Sequence, residues 1–104
     1  MLEMRDGDTL FLSHGVMLHS VPREDWYYAF SVVTGDQFRL NGPSFWILEA
    51  IGGGMSWGDL RKAFLEEYDV EVEKGREDLV QTVAEFVEQG LVGRQANAED
   101  QEAV

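Results

Sequence analysis

The residues able to do chemistry are few, and their spacing matches no catalytic pattern. His14 and His19 are the only imidazoles in a chain of 104 residues that has no cysteine. Thiolate nucleophiles, disulfides and zinc fingers are therefore excluded together. The two histidines fall in a turn and a strand, and neither has a second ligand at metal spacing, so no metal is expected. No Gly-x-Ser-x-Gly elbow presents a serine, and no third group stands ready to orient a histidine. Gly52-Gly53-Gly54 has the glycine content of a phosphate loop, but it follows a helical segment instead of preceding one. No Lys-Ser/Thr comes after it, and it reads as a helix stop. The carboxylates sit at solvated positions on helix surfaces. Neither catalytic residues nor a cofactor is expected.

Charge narrows the partners. The formal net charge is −12, from 20 acidic and 8 basic residues. Such a field repels phosphate backbones and anionic lipid, so nucleic acid and membrane are poor partners, whereas peptides with basic or apolar side chains are not repelled. The start, MLEMRDGDTLFL, has acidic residues where a secretory signal carries basic ones. No stretch approaches the roughly 20 apolar residues of a membrane span. With no cysteine, these features fit a cytoplasmic protein. A hydrophobic fraction of 44% and an aromatic fraction of 12% suit one packed domain.

The elements that would carry a binding surface divide into a strand-rich first part and a helical second part. Val16 to Val21 reads as a strand ended by Pro22 and the turn Arg23-Glu24-Asp25. Trp26 to Val33 carries the strongest β signal, and Gln37 to Leu40 forms a short return strand after Thr34-Gly35-Asp36. A three-residue loop would set Val32 opposite Phe38 and Phe30 opposite Leu40, with all four on one face. Thr9 to Ser13 is a further strand or an ordered arm within residues 1–14.

Pro43 suits the start of a helix capped by Asn41 or Gly42, which carries Phe45, Trp46, Leu48 and Ile51 to Gly52. Ser56 with Asp59 gives a capping-box pattern before Leu60, Ala63, Phe64 and Tyr68. A last helix runs from about Glu73 to Gln89, with Leu79, Val83, Phe86 and Val87 at helical spacing. Leu91-Val92 then folds back onto the core, which closes a domain of residues 1–93. From Arg94 to Val104 the chain is polar and acidic and reads as a mobile tail.

The outline is α+β: a small three-stranded antiparallel sheet followed by three helices, winged-helix-like in that the last two form a helix-turn-helix pair. That outline raises a DNA-binding or regulatory alternative. From Gly75 to Gln89, however, Arg76 stands against Glu77, Asp78, Glu85 and Glu88, a net of −3. A recognition helix of that charge would repel the backbone it must approach.

Thr34-Gly35 followed by Phe38-Arg39-Leu40-Asn41, an apolar helix ending in glycine, Ser56, the run Phe64 to Val70, and Asp78-Leu79 with Val83 and Phe86 leading to Gly90-Leu91 occur in a distinctive order. Over about sixty residues this order resembles the PqqD-like family, the leader-recognition domains of ribosomal peptide natural-product pathways. Within it, the Thr-Gly turn and the Leu-Asn pair look most like the stand-alone lasso-peptide proteins. Val72 stands where many relatives have proline, and Thr82 where many have a large apolar residue.

The resemblance implies a non-catalytic domain that binds a precursor leader as an added strand and presents it to a protease or tailoring enzyme. The guest would pair with Gln37, Phe38, Arg39, Leu40 and Asn41 on the open edge. On the last helix it would face Arg76, Leu79, Val80, Thr82, Val83 and Phe86. The physics suits this, because an edge strand offers unpaired N–H and C=O groups while inward side chains supply selection. Arg39 would point to the other face and meet an acidic residue of leader or enzyme. A third reading leaves the edge for homodimerisation alone.

Overall fold

Period-two alternation in the first part and 3.6-residue periodicity in the second produce the two kinds of layer. The computed structural model describes residues 4–21, 23 and 25–96. In chain order the elements are β1 (Thr9–Leu12), β2 (Val16–Val21), β3 (Trp26–Ser31), β4 (Gln37–Leu40), α1 (Gly42–Ile51), β5 (Met55–Ser56), α2 (Trp57–Glu67), α3 (Val72–Glu88) and β6 (Val92–Gln95). Among the described residues, no helix is long and apolar enough to cross a membrane.

The strands form two antiparallel sheets. The expected sheet is ordered β2-β3-β4, and a second is ordered β5-β1-β6. Thr9–Leu12 is thus a strand, paired with both β5 and β6. The expectation of one sheet and a tail from Arg94 needs correction on this point. Arg94 pairs with Leu10 and Gln95 with Thr9, because β1 offers a long-range ladder that composition does not reveal. The remainder of the expected tail, residues 97–104, lies outside the described residues, as do Pro22 and Glu24.

The hairpin register also differs. Tyr27 faces Leu40, Ala29 faces Phe38 and Phe30 faces Gln37. Val32 and Val33 leave the strand for a turn. The Ser31 hydroxyl accepts from the Thr34 N–H at 3.3 Å, and the Thr34 hydroxyl accepts from the Asp36 N–H at 3.2 Å. The Gly35 N–H donates to the Ser31 carbonyl at 2.8 Å. These local bonds outweigh the β preference of the two valines. Phe30 and Val32 consequently stand on the exposed side, and Tyr27 and Ala29 take the inward places.

The helix boundaries follow their caps. The Asn41 side chain accepts from the Ser44 N–H at 2.8 Å, and that of Ser56 accepts from the Asp59 N–H at 3.1 Å. Leu48 and Ile51 of α1, Trp57, Leu60 and Phe64 of α2, and Leu79, Val83 and Phe86 of α3 are buried together with Leu10, Leu91 and Val92. The core thus lies between the helices and both sheets.

Candidate peptide-binding edge

β4 is the edge of its sheet, and hydrogen-bond alternation decides which of its groups are open. The Ser31 N–H donates to the Asp36 carbonyl at 2.9 Å, and the Val32 N–H donates to the Gly15 carbonyl at 2.9 Å. Odd-numbered residues of β3 therefore bond toward β4, and even-numbered ones toward β2. With Ala29 opposite Phe38 and Tyr27 opposite Leu40, the main chains of Phe38 and Leu40 are turned inward. The N–H and C=O groups of Gln37 and Arg39 point away from the sheet, onto the open edge.

The side chains alternate the other way across the sheet. Leu40 is buried and Phe38 half-buried against the core, while Gln37 and Arg39 are exposed on the outer face. The Arg39 guanidinium lies 3.9 Å from the centre of the Trp26 ring. The indole face attracts the cation and holds the long side chain across the sheet.

Where the edge strand ends, two hollows meet at Asn41. One, of about 580 Å³, is lined by Asp25, Tyr27, Arg39, Leu40, Asn41 and Gly42. The other, of about 230 Å³, runs between the three helices. Asn41, Pro43, Ser44 and Ile47 form one wall, Phe64, Tyr68 and Val70 the floor, and Asp78 and Thr82 of α3 the far side. Behind its lining, Trp46 meets Phe64 and Tyr68 edge-on with ring centres 5.9 and 5.8 Å apart. Burial, reinforced by the nearby Glu67 carboxylate, pushes the Tyr68 phenol above its ordinary pKa. It remains a neutral hydroxyl able to donate. Asp78 is held by Lys74 at 3.1 Å, one helical turn away.

The structure sorts the residues that sequence reasoning assigned to the groove. Gln37, Phe38, Arg39, Leu40 and Asn41 form one continuous edge, and Thr82 joins Asn41 across the smaller hollow. Leu79, Val83 and Phe86 are buried in the core. In the unliganded fold they pack beneath the two hollows and line neither of them. Arg76 and Val80 also line neither hollow. At roughly 100° per residue Val80 lies about half a turn around α3 from both Asp78 and Thr82, and Arg76 about half a turn from Asp78 and a third of a turn from Thr82. Arg76 instead adds to the field that lowers the Asp6 pKa, on the side of α3 toward α2. The Asn41 side chain is occupied with capping α1, so a guest meets its backbone first.

Pro43, Ser44, Ile47, Phe64, Tyr68, Val70 and Asp78 also line the smaller hollow and were not among the residues expected there. Their signal was present but read as something else: Tyr68 as core, Asp78 as solvated surface and Pro43 as a helix start. The lining is assembled from three helices, and no local spacing announces it.

A family model described as coenzyme PQQ synthesis protein D (PqqD) matches residues 17–92. Among solved structures, the chain is similar to one described as TbiB1 in complex with the TbiA(beta) leader peptide. The identity is 20% and the TM-score 0.66, over 83% of this chain and 98% of that one. At that identity the likeness is one of fold. No curated protein matches the chain.

Proposed function

The chain belongs to the PqqD family, and from that premise we propose that it binds the leader segment of a ribosomally made precursor peptide as an added β-strand along β4. It holds the peptide for a separate protease or tailoring enzyme and does no chemistry itself. The Thr34-Gly35 turn and the Leu40-Asn41 pair favour lasso-peptide biosynthesis as the pathway. The place of action is the cytoplasm, where such precursors are translated.

The observation that carries this reading is the outward set of Gln37 and Arg39 main-chain groups leading straight into the hollow between α1, α2 and α3. A guest strand would satisfy the open N–H and C=O groups, which gives affinity with little demand on sequence. Its next side chain would enter the smaller hollow, where Phe64, Tyr68 and Val70 favour an apolar or aromatic group. The similar structure's leader complex supports the same use of the fold. The DNA-binding alternative is weakened by α3, on which Glu77, Asp78, Glu85 and Glu88 are all exposed.

The test is a titration with the short precursor encoded beside this chain, followed by amide exchange. Binding should slow exchange at Gln37 and Arg39 and perturb Tyr68 and Thr82. The precursor should keep its mass when incubated with the pure domain. Absence of binding, or protection confined to another strand, would overturn the reading.

A further inference from the structure

The carboxylates of this chain are not spread evenly. Seven of its 20 acidic residues fall in the thirteen positions from Glu66 to Asp78, the stretch that closes α2 and opens α3. Four of them surround the smaller hollow. Asp78 lines it directly. Asp69 and Glu71, both exposed, flank Val70, which lines it too. The Glu67 carboxylate is close enough to Tyr68, on the floor, to act on its phenol. The opposite wall, formed by Asn41, Pro43, Ser44 and Ile47, carries no charge. A guest passing from β4 into the hollow would therefore run between a neutral wall and an acidic one.

The nearby cations are already engaged. Lys74 holds Asp78 at 3.1 Å, and Arg76 lends its field to Asp6 on another side of α3. Among the described residues, no cation pairs with Glu67, Asp69 or Glu71. Nor do these groups gather as a metal site, since no three ligating side chains come together among the described residues. Between the carboxylates stand Val70 and Val72, 44% and 64% exposed. Two exposed valines alone would be ordinary surface; beside an apolar hollow they extend it. Val70 is fixed there, with its N–H donating to the Tyr68 carbonyl at 2.9 Å and a methyl packed against Gly75.

We propose that this rim selects the class of guest: a leader in which the residue entering the hollow is flanked by lysine or arginine. The inference rests on the peptide-binding reading above and deepens it. Asp69-Val70-Glu71-Val72 alternates carboxylate with apolar side chain, and a lysine or arginine matches both parts. Its methylene stem lies along a valine while its charged head reaches a carboxylate and water. An acidic leader would be repelled by the same rim, and a purely apolar one would leave the carboxylates uncompensated. Selection acts first on the encounter, because the open charges steer a cationic segment toward the end of β4. Arg39 sets the opposite demand on the outer face, where a guest side chain turned outward beside it is neutral or acidic. The guest is thus read by charge along its length as well as by its anchor.

The experiment uses the full chain and the leader of the precursor encoded beside it, made as a synthetic peptide. A second peptide has every lysine and arginine of that leader replaced by glutamine. Affinities are measured by calorimetry at about 50 and about 500 mM salt, which spans strong and weak screening. Asp69→Asn with Glu71→Gln removes two rim charges with little change of side-chain size. Glu49→Gln with Glu77→Gln removes two exposed charges elsewhere. At roughly 100° per residue Glu49 and Glu77 lie more than a quarter turn around their helices from every residue of α1 and α3 that lines the hollow.

The expected result is that the leader binds the parent and loses about fivefold or more in affinity across that salt range. The glutamine peptide should bind more weakly at low salt and respond little to added salt. The rim pair should weaken binding of the leader by about two- to tenfold, and the distant pair by less than about twofold. Thermal unfolding checks each variant, and should the rim pair fail to fold, the two peptides decide the question on the parent. Tight binding of a leader with no lysine or arginine beside its anchor would overturn the proposal, as would an affinity indifferent to salt and to the rim charges. Equal weakening by both pairs of substitutions would assign the effect to net charge and overturn it as well. If the parent binds neither peptide at either salt, the peptide-binding reading itself falls, an outcome distinct from binding without preference for charge.

Discussion

Gly75 of α3 passes so close to Val70 that a Cβ on it would stand 2.7 Å from Val70 Cγ2, with Leu65 Cδ2 at 2.8 Å. The glycine allows the first turn of α3 to seat against the end of α2, and Val70 borders the smaller hollow. From sequence alone Gly75 would be only a weak point, worth about 1 kcal/mol against alanine in a helix. The structure adds an opposing effect, since forcing a methyl into an occupied space costs roughly 1–3 kcal/mol. Gly75→Ala should therefore leave stability unchanged or lower it by up to about 2 kcal/mol. A urea midpoint raised by the full helix-propensity gain would show that Leu65 and Val70 give way freely.

Asn41 ends the edge strand and starts α1. Asn41→Ala should cost about 1 kcal/mol of unfolding free energy, because the Ser44 N–H loses its acceptor. Asn41→Asp, which restores a side-chain oxygen, should recover most of it. Equal losses for both variants in thermal unfolding would show that the cap is not the reason for the effect.

What the sequence made legible follows from how local each signal is. Asn41, Pro43, Ser56 and Gly52 marked the helix ends because capping is decided within one turn. The apolar spacing of Leu79, Val83 and Phe86 gave the inward face of α3 for the same reason. The β3-β4 register was misread because Val32 and Val33 have strong strand preference, and the Ser31 and Thr34 hydroxyl bonds that pull them into the turn leave no periodic trace. The second sheet was hidden because Thr9–Leu12 pairs with residues more than forty positions away in β5 and eighty or more in β6. In the groove, the edge was legible from strand order. The part of α3 that borders the hollow was not, since Asp78 and Thr82 are polar residues of the kind that fill a solvated helix face, and the hollow draws on three helices.

Asp6 reports on the N-terminal segment. Its carboxylate takes both Arg61 nitrogens, at 2.8 and 3.2 Å, and this hydrogen-bonded pairing holds its pKa below the ordinary value. Such a depressed carboxylate adds stability that is present above its unfolded pKa and lost as pH falls through the lower folded value. The parent should therefore melt slightly above Asp6→Asn near neutrality, with the gap closing as the pH is taken below about 4. Because the pair is exposed, added salt should shrink the gap as well. A gap that persisted at low pH would mean that the asparagine disturbs something other than the ion pair.

Thr82 faces Asn41 across the smaller hollow, in a place where its own side chain leaves space unfilled. Thr82→Phe should occupy that space without touching β4. If a guest side chain enters there, excluding it forfeits about 1.5–3 kcal/mol of apolar burial, a loss of roughly ten- to a hundredfold in affinity. Calorimetry with the precursor reads the change, and thermal unfolding checks that the fold is intact. Unaltered affinity with an intact fold would show that the guest bypasses the hollow.

Arg39 gives the most direct test of strand addition, because its N–H points onto the open edge while that of Phe38 is turned toward β3. Arg39→Pro removes the outward donor and obstructs pairing there, while leaving the inward ladder of β4 in place. Phe38→Pro would strike the inward ladder and should unfold the hairpin, so the two prolines, adjacent in sequence, should behave oppositely. The Arg39 side chain stacks on Trp26, and Arg39→Ala supplies the control that loses the stack but keeps the N–H. Relative to that control, Arg39→Pro forfeits one or two main-chain hydrogen bonds to the guest, about 1–3 kcal/mol, or roughly five- to a hundredfold in affinity. Amide exchange of the complex should show protection at Gln37 in the alanine variant and lose it in the proline variant. If Arg39→Pro keeps its thermal transition and binds the precursor as tightly as Arg39→Ala, the guest does not pair with β4, and the open edge of this sheet has another purpose.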